Sequence, residues 1–485
     1  MILAFSTALV LWARSRPSYD AYGWLVWGYQ ALHWNLDLGG APSWKPLPFL
    51  FTVPYALLGL HLELRLWMVT AVSLAFAGCV FGGRIAFWII SRDLAGGGAA
   101  GRLVRWAPWG AAVFAGAAVL GLQDYMHYIL SVQSDPVIVS CVLAGIDFYL
   151  RGRLRAAFWA GMLAGLGRPE AWCLLAPLSL YLLVRKPSLR LMVVVGWALM
   201  LFMWFGIPTL TNDRPFVSAE LAENSPRLLH GDRITGTLHR FWDLYDVPLW
   251  VAAGGTLIWA AVRRNLIVLG LGVGAALWVV TEVVFALHSW PGLPRYMFEG
   301  AAICGVIGGI GFGWLLLMPA ELVRRAAFGS GSSLGAGTRI ARYAGPVLAA
   351  ALIIWLLPYA RIRYEQEHDD LLAQRVRTSV INSLESTFTR LGGVQHIHSC
   401  GQPVITVEWA SALAFYMRMD VGFVGYRAKL MIVRRHNPIV LFDQIPNGWQ
   451  VKPFHEPRGS TCRALRSDVV FTRSHPRGQI LPVPL

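Results

Sequence analysis

The feature that most constrains this chain is a succession of long apolar runs that carry no charge. A helix needs ~20 apolar residues to cross ~30 Å of hydrocarbon. Such runs fall at 1–13, 66–90, 106–122, 135–150, 156–167, 171–184, 191–208, 247–262, 266–287, 296–318 and 343–359. They predict an α-helical polytopic membrane protein with about eleven transmembrane helices. Composition agrees: of 485 residues 56% are hydrophobic and 14% charged, too much apolar surface for a soluble fold to bury. The first run is short and lacks the basic leader and cleavage site of a signal peptide, so it reads as a span. Runs 156–167 and 171–184 are also short.

A net charge of +15 would suggest nucleic acid in a soluble protein, but here the arginines gather in short loops between apolar runs. Arg84, Arg92, Arg102 and Arg105 occupy one loop, and Arg151, Arg153 and Arg155 the next but one. Arg185, Lys186 and Arg190, then Arg263 and Arg264, then Arg324, Arg325, Arg339 and Arg342 continue the alternation. The positive-inside rule makes these loops and the N-terminus cytoplasmic, and turns 14–65, 123–134, 209–246, 288–295 and the C-terminal tail outward. High Ala, Gly and Arg usage suits a GC-rich bacterium, so a multi-pass protein of the bacterial plasma membrane is expected, with no nucleic-acid partner.

Residues 1–359 are read as the membrane domain and 360–485 as a small extracytoplasmic α/β domain. The tail holds charges throughout, helical periodicity over 365–391, and strand-like runs at 403–408 and 438–442. Residues 328–337 read as a flexible cytoplasmic linker. Cys79, Cys141, Cys173 and Cys304 lie in apolar runs and read as small core residues. Cys400 and Cys462 lie in the tail and pair as a disulfide if that domain faces an oxidising compartment. His396 and His398 would bind metal only on a strand face, and a surface loop is the plainer reading.

Chemistry concentrates in the outward loops. The first runs Arg16-Pro-Ser-Tyr-Asp20-Ala-Tyr-Gly-Trp and ends Gly40-Ala-Pro-Ser-Trp-Lys45-Pro-Leu-Pro48. Asp20 among Tyr19, Tyr22, Trp24 and Trp27 is either a general base in partly apolar surroundings or a helix cap beside an interfacial aromatic belt. Asp37, in Asn-Leu-Asp-Leu-Gly-Gly, reads as a turn residue. Asp135, in Ser131-Val-Gln-Ser-Asp-Pro136, is either a first-turn acid or a site carboxylate, two compatible roles. Nearby Asp124, His127 and Gln133 line the same cavity or simply face water. In Leu166-Gly-Arg168-Pro-Glu170-Ala-Trp172 an ion pair flanked by apolar spans either closes a hairpin or presents Arg168, oriented by Glu170, to a phosphate. His288-Ser-Trp-Pro-Gly-Leu-Pro-Arg295-Tyr296-Met-Phe-Glu299 supplies a second arginine, read as phosphate-binding or as snorkelling to the interface. Glu282 and Glu299 are acids inside spans and so candidates for the site or for pairing.

These loops resemble those of polyprenyl-phosphate-sugar-dependent glycosyltransferases of the GT-C superfamily, the protein O-mannosyltransferase and aminoarabinose transferase type. The resemblance rests on an Asp soon after the first helix, the Gly-x-Pro-x-x-Lys-Pro stretch, Leu58-Gly59, Arg65, the Asp-Pro at 135, Arg168-Pro-Glu and Arg295-Tyr296, over roughly residues 1–310. It implies that Asp20 lies at the acceptor, and that Lys45 and Arg295 lie near the donor phosphate. The family motif Lys-Pro-Pro-Leu stands here as Lys-Pro-Leu-Pro.

The expected activity is an inverting membrane glycosyltransferase, a hexosyl- or pentosyltransferase drawing on a polyprenyl-phosphate sugar. The acceptor is a cell-wall glycan, lipid or protein of the cell envelope. Asp20 and Asp135 are the catalytic candidates, Lys45, Arg168, Arg295 and Tyr296 hold the donor phosphate, and Glu170 and His288 support the site. No cofactor is expected: no Asp-x-Asp lies in the outward loops, and a divalent metal is compatible but not implied. Walker, His-Glu-x-x-His and Cys-x-x-Cys motifs are absent from the sequence. The rival readings are a transporter or flippase, expected to show related halves and helices broken at midplane, and a scaffold whose tail binds a partner.

Overall fold

A computed structural model describes residues 1–485 apart from 41–42, 96–101, 217–218, 221–222, 224–226, 230, 330–335, 432–436, 447, 456–461, 463–466 and 471–485. The linker reading of 328–337 lies mostly outside the described residues, as do Ala41 and Pro42 of the Lys45 motif. The chain is mostly helical and divides into two units, Met1–Gln374 and Arg375–Leu485.

In the first unit each apolar run is helical, and five helices among the described residues are long and apolar enough to cross a membrane. They are Leu60–Ala95, Pro187–Asn212, Leu266–Leu287, Pro294–Met318 and Tyr343–Arg390. A sixth is counted if Arg233–Trp242 and Val247–Val262, bent by 98°, make one span. The remaining runs form helices of 12 to 16 residues, among them Ile2–Ala13, Asp135–Leu150 and Leu154–Gly167. Rows of exposed Leu, Val, Ile and Phe on these helices face outward from the unit, for example Leu191, Val194, Leu199 and Phe202. No soluble protein leaves such surface bare, and the chain is an integral membrane protein.

Lipid offers no hydrophobic drive for helix association, so small residues let backbones approach instead. The helix Leu60–Ala95 packs on Ala107–Leu120 and Asp135–Leu150, and Phe298–Gly329 packs on Ala107–Leu120. A Cβ on Gly83 would stand 2.8 Å from the Ala112 carbonyl oxygen, and one on Gly309 would stand 2.6 Å from the Ala115 Cβ. A side chain at either position would push two spans apart. Pro208 lacks an N–H, and the helix meets it with a π turn over Phe202–Gly206 before resuming at Ile207–Asn212.

The segment 14–65, read as a loop, differs most from one. It holds two helices, Tyr19–Leu32 and Pro46–Ala56, so closely packed that a Cβ on Gly28 would stand 2.6 Å from the Thr52 backbone.

The second unit carries a four-stranded sheet of order β1-β2-β3-β4: Gln402–Val404, Ile439–Ile445, Gly448–Phe454 and Ser467–Val470. β1 runs parallel to β2, and the other pairs are antiparallel. The strand read at 403–408 ends at Val404, and a helix over Val407–Met417 starts just past Thr406. Cys400 and Cys462 form a disulfide. Trp449 is buried, meets Trp409 edge-on at 5.7 Å and donates to the Val380 carbonyl at 3.1 Å. The helix Ala336–Arg390 runs without a break through residue 360, since the polar periodicity after 359 continues the apolar one before it.

Candidate active site

Three helix N-termini, one helix C-terminus and one short turn bring the candidate residues together. Asp20 lies in the first turn of Tyr19–Leu32, Lys45 is the N-cap of Pro46–Ala56, and Asp135 opens Asp135–Leu150 behind its N-cap Ser134. Arg168 ends Leu154–Gly167 in extended backbone, ahead of a short turn at Pro169–Ala171. Gly167 makes this possible: a Cβ there would stand 2.5 Å from Ile138 and 3.1 Å from Leu47. Arg295 and Tyr296 lie in the single turn Pro294–Met297 before helix Phe298–Gly329.

Asp135 is fully buried and is the hub. Its Oδ1 pairs with Arg168 Nη2 and lies 3.9 Å from Lys45 Nζ. Lys45 Nζ also donates to Ser134 Oγ at 2.8 Å and lies 5.6 Å from the Trp24 ring centroid. Arg168 carries its second nitrogen to 3.5 Å from Glu170 Oε1, and its guanidinium lies 4.1 Å over the Tyr296 ring. Arg295 joins Asp20 at 3.5 Å and lies 5.8 Å from the Tyr128 ring centroid. The sequence candidates Asp20, Lys45, Asp135, Arg168, Glu170, Arg295 and Tyr296 are therefore one constellation. Glu282 and Glu299 are buried and within electrostatic reach of Arg168.

Burial pushes the Lys45 ammonium down to about 8. Asp135 opposes that shift, while Arg168 and Arg295 add to it. A group so placed gains when an anion arrives, because a third negative partner favours its charged form. N-termini of helices supply partial positive charge at the same place.

Other candidates lie elsewhere. His288 is exposed at the end of Leu266–Leu287, its ring against the Val284 carbonyl at 2.8 Å. His127 pairs with Asp370 Oδ1 at 2.8 Å, and Gln374 bonds the same carboxylate. Burial disfavours the His127 imidazolium, but Asp370, with Asp124 and Glu367 behind it, outweighs that and raises its proton affinity. Gln133 donates to Ser18 and so ties the start of the Asp20 helix to the Asp135 segment. Ser18 N–H reinforces this by donating to the Ser131 carbonyl at 2.9 Å. Asp37 accepts from Gly39 N–H at 2.7 Å, the turn that its neighbours imply. His396 and His398 lie on the helix Val394–Cys400, not on a strand. Among the described residues no three His, Cys, Asp or Glu side chains are grouped to hold a metal ion.

Sequence reasoning missed Ser134 and Tyr128, and placed Trp24 beside Asp20 without its contact to Lys45. The Ser-Asp-Pro run signals a helix start that would have marked Ser134. Nothing local marks Trp24 or Tyr128 as neighbours of the cations.

No family model matches this chain, and no curated protein does. Among solved structures it is similar to ArnT from Cupriavidus metallidurans in the apo state, at 16% identity and a TM-score of 0.48, covering 91% of each chain. ArnT from the same organism bound to undecaprenyl phosphate is similar at 17% identity and a TM-score of 0.46, covering 91% of this chain and 92% of that one.

Proposed function

We propose that this protein is a glycosyltransferase that moves a sugar, with inversion, from a polyprenyl-phosphate donor to an acceptor outside the plasma membrane. The observation that carries the reading is the gathering of Lys45, Arg168 and Arg295 around Asp135 at one end of the helices. Three cations drawn out of water there face Asp20, Asp135 and Glu170, and Arg168 Nε and Arg295 Nε, buried with no hydrogen-bond partner among the described residues, are donors that a phosphate oxygen would take. A lipid phosphate reaches such a place with its chain in the bilayer, whereas a nucleotide sugar would need a nucleotide-binding fold.

Inverting transfer has three requirements: a base for the acceptor hydroxyl, an in-line approach to the anomeric carbon, and stabilisation of the departing phosphate. Asp20, partly open to solvent and only loosely paired with Arg295, suits the base. Its carboxylate takes the hydroxyl proton as the oxygen attacks and the bond to phosphate breaks. Lys45, Arg168 and Arg295 then meet the charge on the leaving phosphate. Asp135, fully buried and held by Arg168 and Lys45, organises both cations. Positive-inside charge puts this end of the helices on the outer face, the N-terminus in the cytoplasm and the tail domain outside.

The deciding experiment supplies purified protein with a panel of radiolabelled polyprenyl-phosphate sugars and compares wild type with Asp20→Asn and Asp135→Asn. Transfer by wild type that is lost in Asp20→Asn with donor binding intact supports the reading. No transfer from any donor, or transfer unchanged from wild type in both variants, favours the transporter or scaffold reading.

A further inference from the structure

The helix Arg233–Trp242 carries no member of the charged constellation and shows three distinct faces. Successive residues turn by ~100°, so Arg233, Thr237 and Arg240 share one of them. That face is docked. Arg233 Nη1 donates to the carbonyls of Ala286 at 3.2 Å and Leu287 at 3.0 Å, capping the end of Leu266–Leu287. Arg240 Nη1 donates to the Pro291 and Gly292 carbonyls at 2.8 and 2.9 Å, and Thr237 is fully buried. The second face bears Ile234, Leu238 and Trp242 in a row, 44%, 46% and 51% exposed. The third bears Thr235, His239 and Asp243, exposed and polar.

A helix touching protein on one side and water on the other has no use for a row of exposed Ile, Leu and Trp. Its axis supplies the reason. It turns through 98° into the apolar helix that begins at Val247. Val247–Arg263 has 17 residues and rises ~25 Å, most of the hydrocarbon thickness. A helix at right angles to it lies in the membrane plane. The apolar row continues into Val247 and Val251, also exposed on that span. At the bend Trp242 stacks on Trp250 with centroids 5.4 Å apart, the residue type that settles at headgroup level. A second protein copy is the wrong occupant, since three side chains fall far short of the ~800 Å² per partner of a stable interface.

We propose that the Ile234–Leu238–Trp242 face is embedded at the headgroup–acyl boundary of the phospholipid bilayer. Through Arg233 and Arg240 this embedded helix fixes the depth of residues 286–292. The lipid contact stands independently of the glycosyltransferase reading. Its consequence, that the helix sets the height of Arg295 relative to a lipid phosphate, rests on that reading.

The test uses the full chain in phosphatidylcholine nanodiscs, with cysteines introduced singly at Ile234, Leu238, Thr235 and His239 and spin-labelled. Unsubstituted protein labelled in parallel removes the background of the native thiols. The expected result is an oxygen-to-nickel collision ratio at 234 and 238 several-fold above that at 235 and 239. Equal ratios at all four positions place the helix in water and overturn the proposal. Shielding of 234 and 238 from both reagents means a protein surface covers them, which overturns it too. For the strap, a label at position 288 is expected to gain mobility in Arg240→Gln, and unchanged mobility refutes that part. Neither readout requires sugar transfer, so failure here and failure of the activity are told apart.

Discussion

The helix Asp135–Leu150 carries a buried aspartate near each end, and the two are held in opposite ways. Asp135 is paired by Arg168 and Lys45, whose side chains are 4% and 11% exposed. Asp147 is paired by Arg84 at 2.8 Å and Arg151 at 2.9 Å, whose side chains are 42% and 29% exposed. The cations of Asp147 keep their water, and one of them lies a single helical turn away. Those of Asp135 come from distant segments and have given up water to be there. Such desolvation is costly and adds little net stability. A cost borne at one end of a helix and avoided at the other points to function at the first and anchorage at the second.

Four measurements can break or sharpen that contrast. The largest effect is expected for Arg168→Ala, which strands Asp135 without its closest partner. Transfer should fall by about 10³-fold or more, with about 3–5 kcal/mol lost from stability by chemical denaturation. If the variant is as active and stable as wild type, the two ends are alike. Next, Asp20→Asn should lower transfer by ~10²–10⁴-fold while donor binding, followed by equilibrium filtration, is retained.

A third measurement concerns Lys45, whose charge is lost as pH rises through about 8. Donor affinity should therefore weaken above that pH, by up to ~10-fold per unit if the free protein's lysine must be charged to bind. In Lys45→Arg the guanidinium stays charged and this limb should vanish. A flat wild-type profile would remove Lys45 from the phosphate contact. The smallest effect is expected at the other end: Asp147→Asn should cost about 1 kcal/mol of stability and change transfer less than about twofold. A transfer loss there comparable with that of Asp135→Asn would erase the distinction.

Much of the site was legible in the sequence because charge beside apolar runs is conspicuous. Asp135-Pro, Arg168-Pro-Glu170 and Arg295-Tyr296 each stand where a span begins or ends. Their partnership was not legible. Arg168 lies 33 positions from Asp135, and Lys45 lies 89 from Ser134, so only packing decides that they meet. The first loop hid its helices for a related reason. Tyr19–Leu32 and Pro46–Ala56 are too short to read as spans and rich in Trp, Tyr and Pro, and Gly28 against Thr52 is a contact between the two helices that no periodicity within either reveals. His288, seven positions before Arg295, is exposed, with its ring against the Val284 carbonyl.

By itself the sequence determined that this chain lives in a bilayer, where its long apolar helices lie, and which charges are anomalous. Each follows from the transfer cost of apolar and charged groups, a property of composition along the chain. Tertiary structure decided which anomalous charges share one place, which aspartate is enclosed and which is open, and which face of Arg233–Trp242 is left bare. Those depend on close approach between segments far apart in sequence, set by small residues such as Gly83, Gly167 and Gly309 whose neighbours only the folded molecule supplies.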